Sequence, residues 1–219
     1  MDVTKIGILW DLDGTLLDTL EDLADAVNHA LDHFGYPCRT VSEVRCFVGN
    51  GVGQLITLAV PEGADPTPVL ALFREYYGLH CRIKTKPYPG IMDALAELGT
   101  RHPMAVVSNK PDSAVKALCA DCFPGIHARG ERADCPRKPA PDMVRRTMAE
   151  IGVDTCIYVG DSEVDVLTAK NAGVPCLSVL WGFRDREEIE AAGGTDFCET
   201  TAELAEKIEE LIWQMNSTP

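Results

Sequence analysis

The chain has 219 residues, enough for one hydrophobic core or a core with a smaller appendage. It is 46% hydrophobic and 25% charged, ordinary for a globular protein, with a formal net charge of −14. That field opposes non-specific binding to nucleic acid and to anionic membranes, and no apolar stretch approaches the roughly 20 residues of a membrane span.

Ile6 to Trp10 reads as a buried strand that breaks at a carboxylate, Asp11, followed by Asp13 and Gly14. Residues i and i+2 of a strand point the same way, so both carboxylates project from one face at its carboxyl end. Two like charges this close require a cation or a shared proton. The pair predicts a metal site, an acid/base pair, or both.

Apolar spacing then predicts helices over 21–34, 41–47, 51–60 and 68–79, with no convincing strand between 20 and 85. Lys86-Pro87-Tyr88-Pro89-Gly90 is a stiff connection and a domain boundary. This divides the chain into a core of residues 1–17 and 86–219 and a helical insertion of residues 18–85. Beyond the boundary, strands at 104–107, 126–128, 156–159 and 175–180 alternate with helices at 91–98, 111–119, 141–151, 162–172 and 201–215. The tail Asn216 to Pro219 is expected to fray. Such alternation with continuously apolar strands predicts an α/β fold, a parallel sheet covered by helices on both faces.

Three later segments repeat the strand-to-polar break. Val106-Val107 leads to Ser108 and Asn109. Val159-Gly160 leads to Asp161 and Ser162, with Asp165 four residues beyond Asp161. Arg137-Lys138-Pro139 falls between the short strand at 126–128 and the next helix. In a parallel sheet these ends share one edge, where open α/β sheets place ligands. Asp11 and Asp161 there suit a hard divalent cation such as Mg²⁺. Ser108 and neighbouring N–H groups suit an anion, and Lys138 supplies a point charge. A cation, a lysine and a hydroxyl around two carboxylates describe phosphoryl transfer, with one carboxylate as nucleophile and the other as general acid and base. Each residue alone has a plainer reading as a turn, a helix cap or a solvated side chain. Four such coincidences at one edge do not.

The nine cysteines are expected to be reduced thiols of a cytoplasmic protein. Cys119-x-x-Cys122, with His127 and Cys135 downstream, has metal-like spacing but no second CxxC, and is read as buried thiols rather than zinc ligands.

The arrangement resembles the haloacid dehalogenase superfamily along nearly the whole chain. Asp11-Leu12-Asp13-Gly14-Thr15 is similar to its first motif, Ser108 ends the second, Lys138 carries the third, and Gly160-Asp161-Ser162-Glu163-Val164-Asp165 is similar to the fourth. Trp10 replaces the usual Phe. The resemblance implies a Rossmann-like core with an α-helical cap and an aspartyl-phosphate formed on Asp11. It also implies that Asp13 is the acid/base and binds Mg²⁺ through its carbonyl. Ser108, Asn109 and Lys138 would bind the phosphoryl group, and Asp161 and Asp165 would complete the metal site. Asp13 favours phosphate esters over carbon–halogen bonds. Within the family, Phe47 to Gly53 and Val179 to Phe183 resemble phosphoglycolate phosphatases, which implies 2-phosphoglycolate as substrate and a cap loop whose Arg45 and Asn50 meet its distal end. The alternatives are a β-phosphoglucomutase-like mutase, a pyrophosphatase or nucleotidase, or a non-catalytic binding protein on the same fold. The expected partner is a small phosphorylated metabolite, and the expected state is a monomer or homodimer.

Overall fold

The computed structural model describes residues 4–217. Strand β1 (Ile6–Trp10) is apolar and buried throughout, so it serves as an interior strand. The chain then makes a short strand β2 (Leu17–Asp18) and four helices, α1 (Leu20–His33), α2 (Val41–Phe47), α3 (Gly51–Ala59) and α4 (Pro66–His80). It returns through β3 (Lys86–Pro87), which pairs antiparallel with β2, so the two crossings run side by side. The segments α5 (Ile91–Gly99), β4 (Met104–Pro111), α6 (Asp112–Cys122), β5 (His127–Glu131), α7 (Asp142–Ile151), β6 (Thr155–Gly160), α8 (Glu163–Ala172), β7 (Cys176–Val179), α9 (Arg186–Ala191), β8 (Asp196–Cys198) and α10 (Leu204–Ser217) follow.

The expected α/β architecture is present. Six parallel strands run in the order β5-β4-β1-β6-β7-β8. The order reverses at β1, whose neighbours are β4 and β6, and this places a crevice at the carboxyl ends of these three strands. Alternate residues of β1 serve opposite faces. Ile8 and Trp10 pack with α5, α6 and α10, while Leu9 packs with α7 and α8. A third apolar cluster, built from residues between Leu23 and Cys81, belongs to α1–α4 alone. Where the chain enters this helical segment, the buried Asp22 carboxylate accepts from the backbone N–H groups of Ile83, Lys84 and Thr85 at 2.9–3.1 Å. One side chain therefore ties the beginning of the insertion to its end.

The differences from expectation have physical causes. Strand β4 continues to Pro111 instead of stopping at 107, because buried Ser108, Asn109 and Lys110 keep extended backbone with their polar groups paired inside. Short β8 and α9 carry too few residues for a periodic signal. The final helix opens with a 3-10 turn at Thr201–Glu203 and continues to Ser217, through part of the tail expected to fray; Thr218 and Pro219 lie outside the described residues. Cys119 packs in the layer of α5, α6 and α10, and Cys135 in the layer of α7 and α8, so the sheet separates them.

Candidate active site

Asp11 and Asp13 leave the end of β1 beside the ends of β4 and β6. Gly14 follows with a φ of +84°, and a Cβ there would overlap the Asp161 carboxylate. Gly182 is equally constrained, since its Cβ would meet Asp161 from the other side. The missing side chains let the backbone close around this carboxylate. Asp161 is further fixed by Thr15 Oγ1, which donates to it at 3.0 Å, and by the Phe183 N–H at 2.7 Å.

Lys138 joins the acidic groups. Its Nζ lies 2.9 Å from Asp11 Oδ1 and 2.7 Å from Asp165 Oδ1, and it donates to the Tyr158 hydroxyl at 3.0 Å. Tyr158 in turn donates to the Val107 carbonyl at 3.0 Å. Asp165 also accepts from the Ser162 N–H and hydroxyl, the capping box that opens α8. The loop carrying Lys138 is held by Asn109, whose side chain accepts from Lys138 N–H at 2.8 Å and donates to the Lys138 carbonyl at 3.0 Å. Asn109 also donates to the Gly49 carbonyl of the helical insertion at 3.1 Å.

Asp13 has its own lysine. Lys110, only 4% exposed, donates to both Asp13 carboxylate oxygens at 2.8 and 3.0 Å. Its ammonium lies 4.7 Å from the centre of the Tyr77 ring, which comes from α4. Two residues apart, Ser108 and Lys110 repeat the i, i+2 spacing of Asp11 and Asp13, a signal in the sequence that points to Lys110. The register between β4 and β5 shifts between Val107 and Pro111. This irregularity brings Asn109 to the cavity as well, against strict alternation.

Burial raises the Asp11 carboxyl to about 7, against the pull of Lys138 and with reinforcement from Asp165 and Asp13. Burial, then Asp165 and Asp11, holds Asp161 well above the usual carboxylate range. Burial alone would lower Lys138, but Asp11 and Asp165 outweigh it and hold the ammonium well above its ordinary value. Carboxylate oxygens of Asp11, Asp161 and Asp165 lie within 4.8 Å of one another. Fully ionised, the four acidic groups Asp11, Asp13, Asp161 and Asp165 would exceed the two lysines here by two negative charges, an excess that adds to burial in raising Asp11 and Asp161. Asp11 Oδ1 is buried, with the Lys138 ammonium 2.9 Å away. An all-oxygen donor set with this excess charge fits a hard divalent cation.

These residues line a cavity of about 40 Å³ between the sheet edge and the insertion. Ser108, Asn109, Lys138, Asp161 and Ser162 form one wall, and Leu23, Val48, Val52 and Leu55 form the other. The structure does not bring Arg45 and Asn50 to this wall. Their neighbours Gly49 and Gly51 line it instead. Arg45 turns to the core loop, 3.1 Å from Asp185 and 3.4 Å from the Gly182 carbonyl. The nearby Arg184, which spacing does not single out, is 7% exposed and donates to the carbonyls of Arg45, Cys46 and Val48 and to Glu163. It thereby satisfies free carbonyls at the end of α2.

The family description that matches this sequence, over residues 8–179, is haloacid dehalogenase-like hydrolase. Among curated relatives, a phosphoglycolate phosphatase of Mesorhizobium japonicum is 33% identical over 216 residues, covering 92% of this chain and 95% of that protein. Phosphoglycolate phosphatase 1 of Pseudomonas aeruginosa is 34% identical over 196 residues, covering 83% of this chain and 72% of that one. A solved structure from Lactobacillus delbrueckii subsp. bulgaricus, provisionally named a phosphoglycolate phosphatase, superposes with a TM-score of 0.88 at 36% identity, covering 94% of this chain and 99% of that one. Among the described residues no helix is long and apolar enough to cross a membrane.

Proposed function

The chain belongs to the haloacid dehalogenase-like hydrolases, and on that premise we propose that it hydrolyses 2-phosphoglycolate to glycolate and phosphate through an aspartyl-phosphate on Asp11. The observation that carries this reading is the separate pairing of the two β1 carboxylates. Asp11 and Asp13 reach one cavity, and each is held by its own lysine. Asp11, beside Lys138, is kept available as a nucleophile. Its carboxylate oxygen attacks phosphorus, and the ester oxygen departs with a proton from Asp13. In the second half, Asp13 takes a proton from water, the resulting oxygen attacks phosphorus, and the phosphorus–oxygen bond to Asp11 breaks. Phosphate leaves and Asp11 is restored.

Ser108, Asn109 and Lys138 hold the phosphoryl oxygens in this scheme. Asp11, Asp161 and Asp165, with the Asp13 carbonyl, would hold Mg²⁺, which supplies neutralisation of the charge on the transferring group. The segment 18–85 acts as a cap over the core of residues 1–17 and 86–219. Its apolar wall excludes bulk water while the nucleophile attacks.

The test is phosphate release from 2-phosphoglycolate, β-glucose 1-phosphate, pyrophosphate and nucleoside monophosphates, with and without Mg²⁺. The expected result is Mg²⁺-dependent release, strongest from 2-phosphoglycolate. Silence across the panel, with glucose 6-phosphate formed from β-glucose 1-phosphate, would replace this reading with a mutase.

A further inference from the structure

One residue near Asp13 comes from the insertion and has no part in the reaction as described above. Tyr77, on α4, is 3% exposed and packs in the apolar cluster of α1–α4. Its ring stacks on that of Phe73, with centroids 5.3 Å apart and planes 10° from parallel. For this packing a phenylalanine would serve, as Phe73 does one turn earlier. A hydroxyl buried among apolar side chains is costly unless it meets a polar partner. The partner reaches it from the core. The Lys110 ammonium meets the Tyr77 hydroxyl and lies 4.7 Å from the ring centre. It also donates to the two Asp13 carboxylate oxygens at 2.8 and 3.0 Å. All three N–H donors of the ammonium are then committed. Lys110 and Asp13 line the cavity, whereas Tyr77 does not. A chain of buried side chains thus runs from the insertion to the acid/base, with its outer member beyond the reach of substrate.

Resting on the hydrolase reading above, we infer that Tyr77 is a positioning residue for proton delivery, which through Lys110 aims the Asp13 carboxyl at the ester oxygen. A lysine head sits on a flexible stem and keeps one place only when it is held from more than one side. Asp13 holds this one from the core and Tyr77 holds it from the insertion. In the first half of the reaction, one Asp13 oxygen carries the proton passed to the leaving oxygen, and the other keeps its contact with Lys110. The ammonium retains its own protons throughout. The consequence is selective. A leaving group that departs as an alkoxide needs the proton as the bond breaks, and one that departs as a stabilised anion does not. Misplacing Asp13 therefore slows the first kind of substrate more than the second.

The experiment measures kcat/KM for two phosphoryl donors. One is 2-phosphoglycolate, or the alkyl ester of the panel above that turns over fastest. The other is acetyl phosphate, whose leaving group is acetate and departs without a proton. The proteins are the wild type, Tyr77→Phe, Lys110→Met and the double variant, with Lys110→Gln in place of Lys110→Met if the latter lacks a cooperative thermal transition. Taking the ratio of kcat/KM, ester over acetyl phosphate, removes any loss that the two anionic substrates share. The expected ratio falls about tenfold in Tyr77→Phe and about a hundredfold in Lys110→Met, within the factor of about 10²–10⁴ that general acid catalysis supplies. The double variant should match Lys110→Met, because Tyr77 acts through the lysine. A wild-type ratio in Tyr77→Phe would mean that the hydroxyl serves packing alone, and would overturn the inference while leaving the hydrolase reading intact. A further fall in the double variant would mean that Tyr77 acts by another route, and would overturn it as well. A wild type active on acetyl phosphate but on no alkyl ester would overturn the substrate reading and this inference together. A wild type inactive on every phosphate tested would overturn the hydrolase reading itself.

Discussion

The two walls of the cavity are built in opposite ways. On the sheet side, buried ionised side chains are fixed by directed hydrogen bonds, as in the Asp165–Lys138–Tyr158–Val107 chain. On the helical side, the wall is apolar, and the insertion meets the core through backbone carbonyls that accept from Arg184 and Asn109 and through the more exposed ion pairs Arg45–Asp185 and Arg82–Asp121. Charged groups held this rigidly suit a reaction that needs preorganised electrostatics. Carbonyl contacts made by a few core side chains can be released together without leaving a charge buried in the insertion. On the proposed function, the sheet edge would carry the chemistry and the helices the closure.

The strongest way to break that division is Asp11→Asn. It keeps the shape and removes the attacking oxygen. We expect phosphate release to fall by about 10⁴-fold or more with the fold retained, checked by steady-state assay beside circular dichroism. Near-normal turnover in this variant would move the chemistry away from β1 and end the division at its source.

Closure is tested by Arg184→Met. It removes donors to three carbonyls at the end of α2 and to Glu163 but leaves the Asp11–Lys138 pair in place. We expect KM to rise about tenfold with a smaller change in kcat, since several hydrogen bonds of about 1 kcal/mol each hold the closed form. Hydrogen exchange at residues 45–50 should accelerate. A collapse of kcat with unchanged KM would mean that Arg184 serves the chemistry, and the two walls would not be separable in this way.

The same asymmetry explains what the sequence made legible. The sheet edge was readable because its residues follow apolar strands, and a parallel sheet converts that local pattern into spatial convergence; Asp11, Asp13, Ser108, Lys138, Asp161 and Asp165 do gather. Lys110 escaped because a lysine before Pro111 resembles the start of a loop, and only the extension of β4 buries it. Arg45 and Asn50 were expected at the substrate because they flank a glycine-rich turn. Which side chain of such a turn faces a cavity depends on how α2 and α3 meet the core, a contact between residues more than 100 positions apart. Arg184 is the counterpart of that contact, and a short loop after β7 carries no periodicity from which to read it.

The smallest effect concerns protons and sharpens the sheet side alone. Asp11 has its carboxyl raised from 3.8 to about 7 by burial, so the folded protein holds this proton where the unfolded chain has lost it. Stability from that proton is fully present below about pH 4 and is lost as pH rises through about 7; Asp161 shifts in the same direction. Lys138, held above its ordinary value, stays charged throughout this interval and adds no slope. A divalent cation held at Asp11, Asp161 and Asp165, as proposed, would compete with protons below about pH 7 and replace their neutralising effect above it. The gain in Tm from saturating Mg²⁺ should therefore be larger at about pH 8 than at about pH 5.5, by several degrees if the difference reaches about 1–2 kcal/mol. Differential scanning calorimetry of the wild type, Asp11→Asn and Arg184→Met reads this directly. Asp11→Asn should reduce the pH dependence of the gain, because one of the two raised carboxyls is gone. Arg184→Met should preserve it, because the closing contacts carry no part of the proton inventory. A gain equal at both pH values in the wild type would mean that the cation binds away from the buried carboxylates.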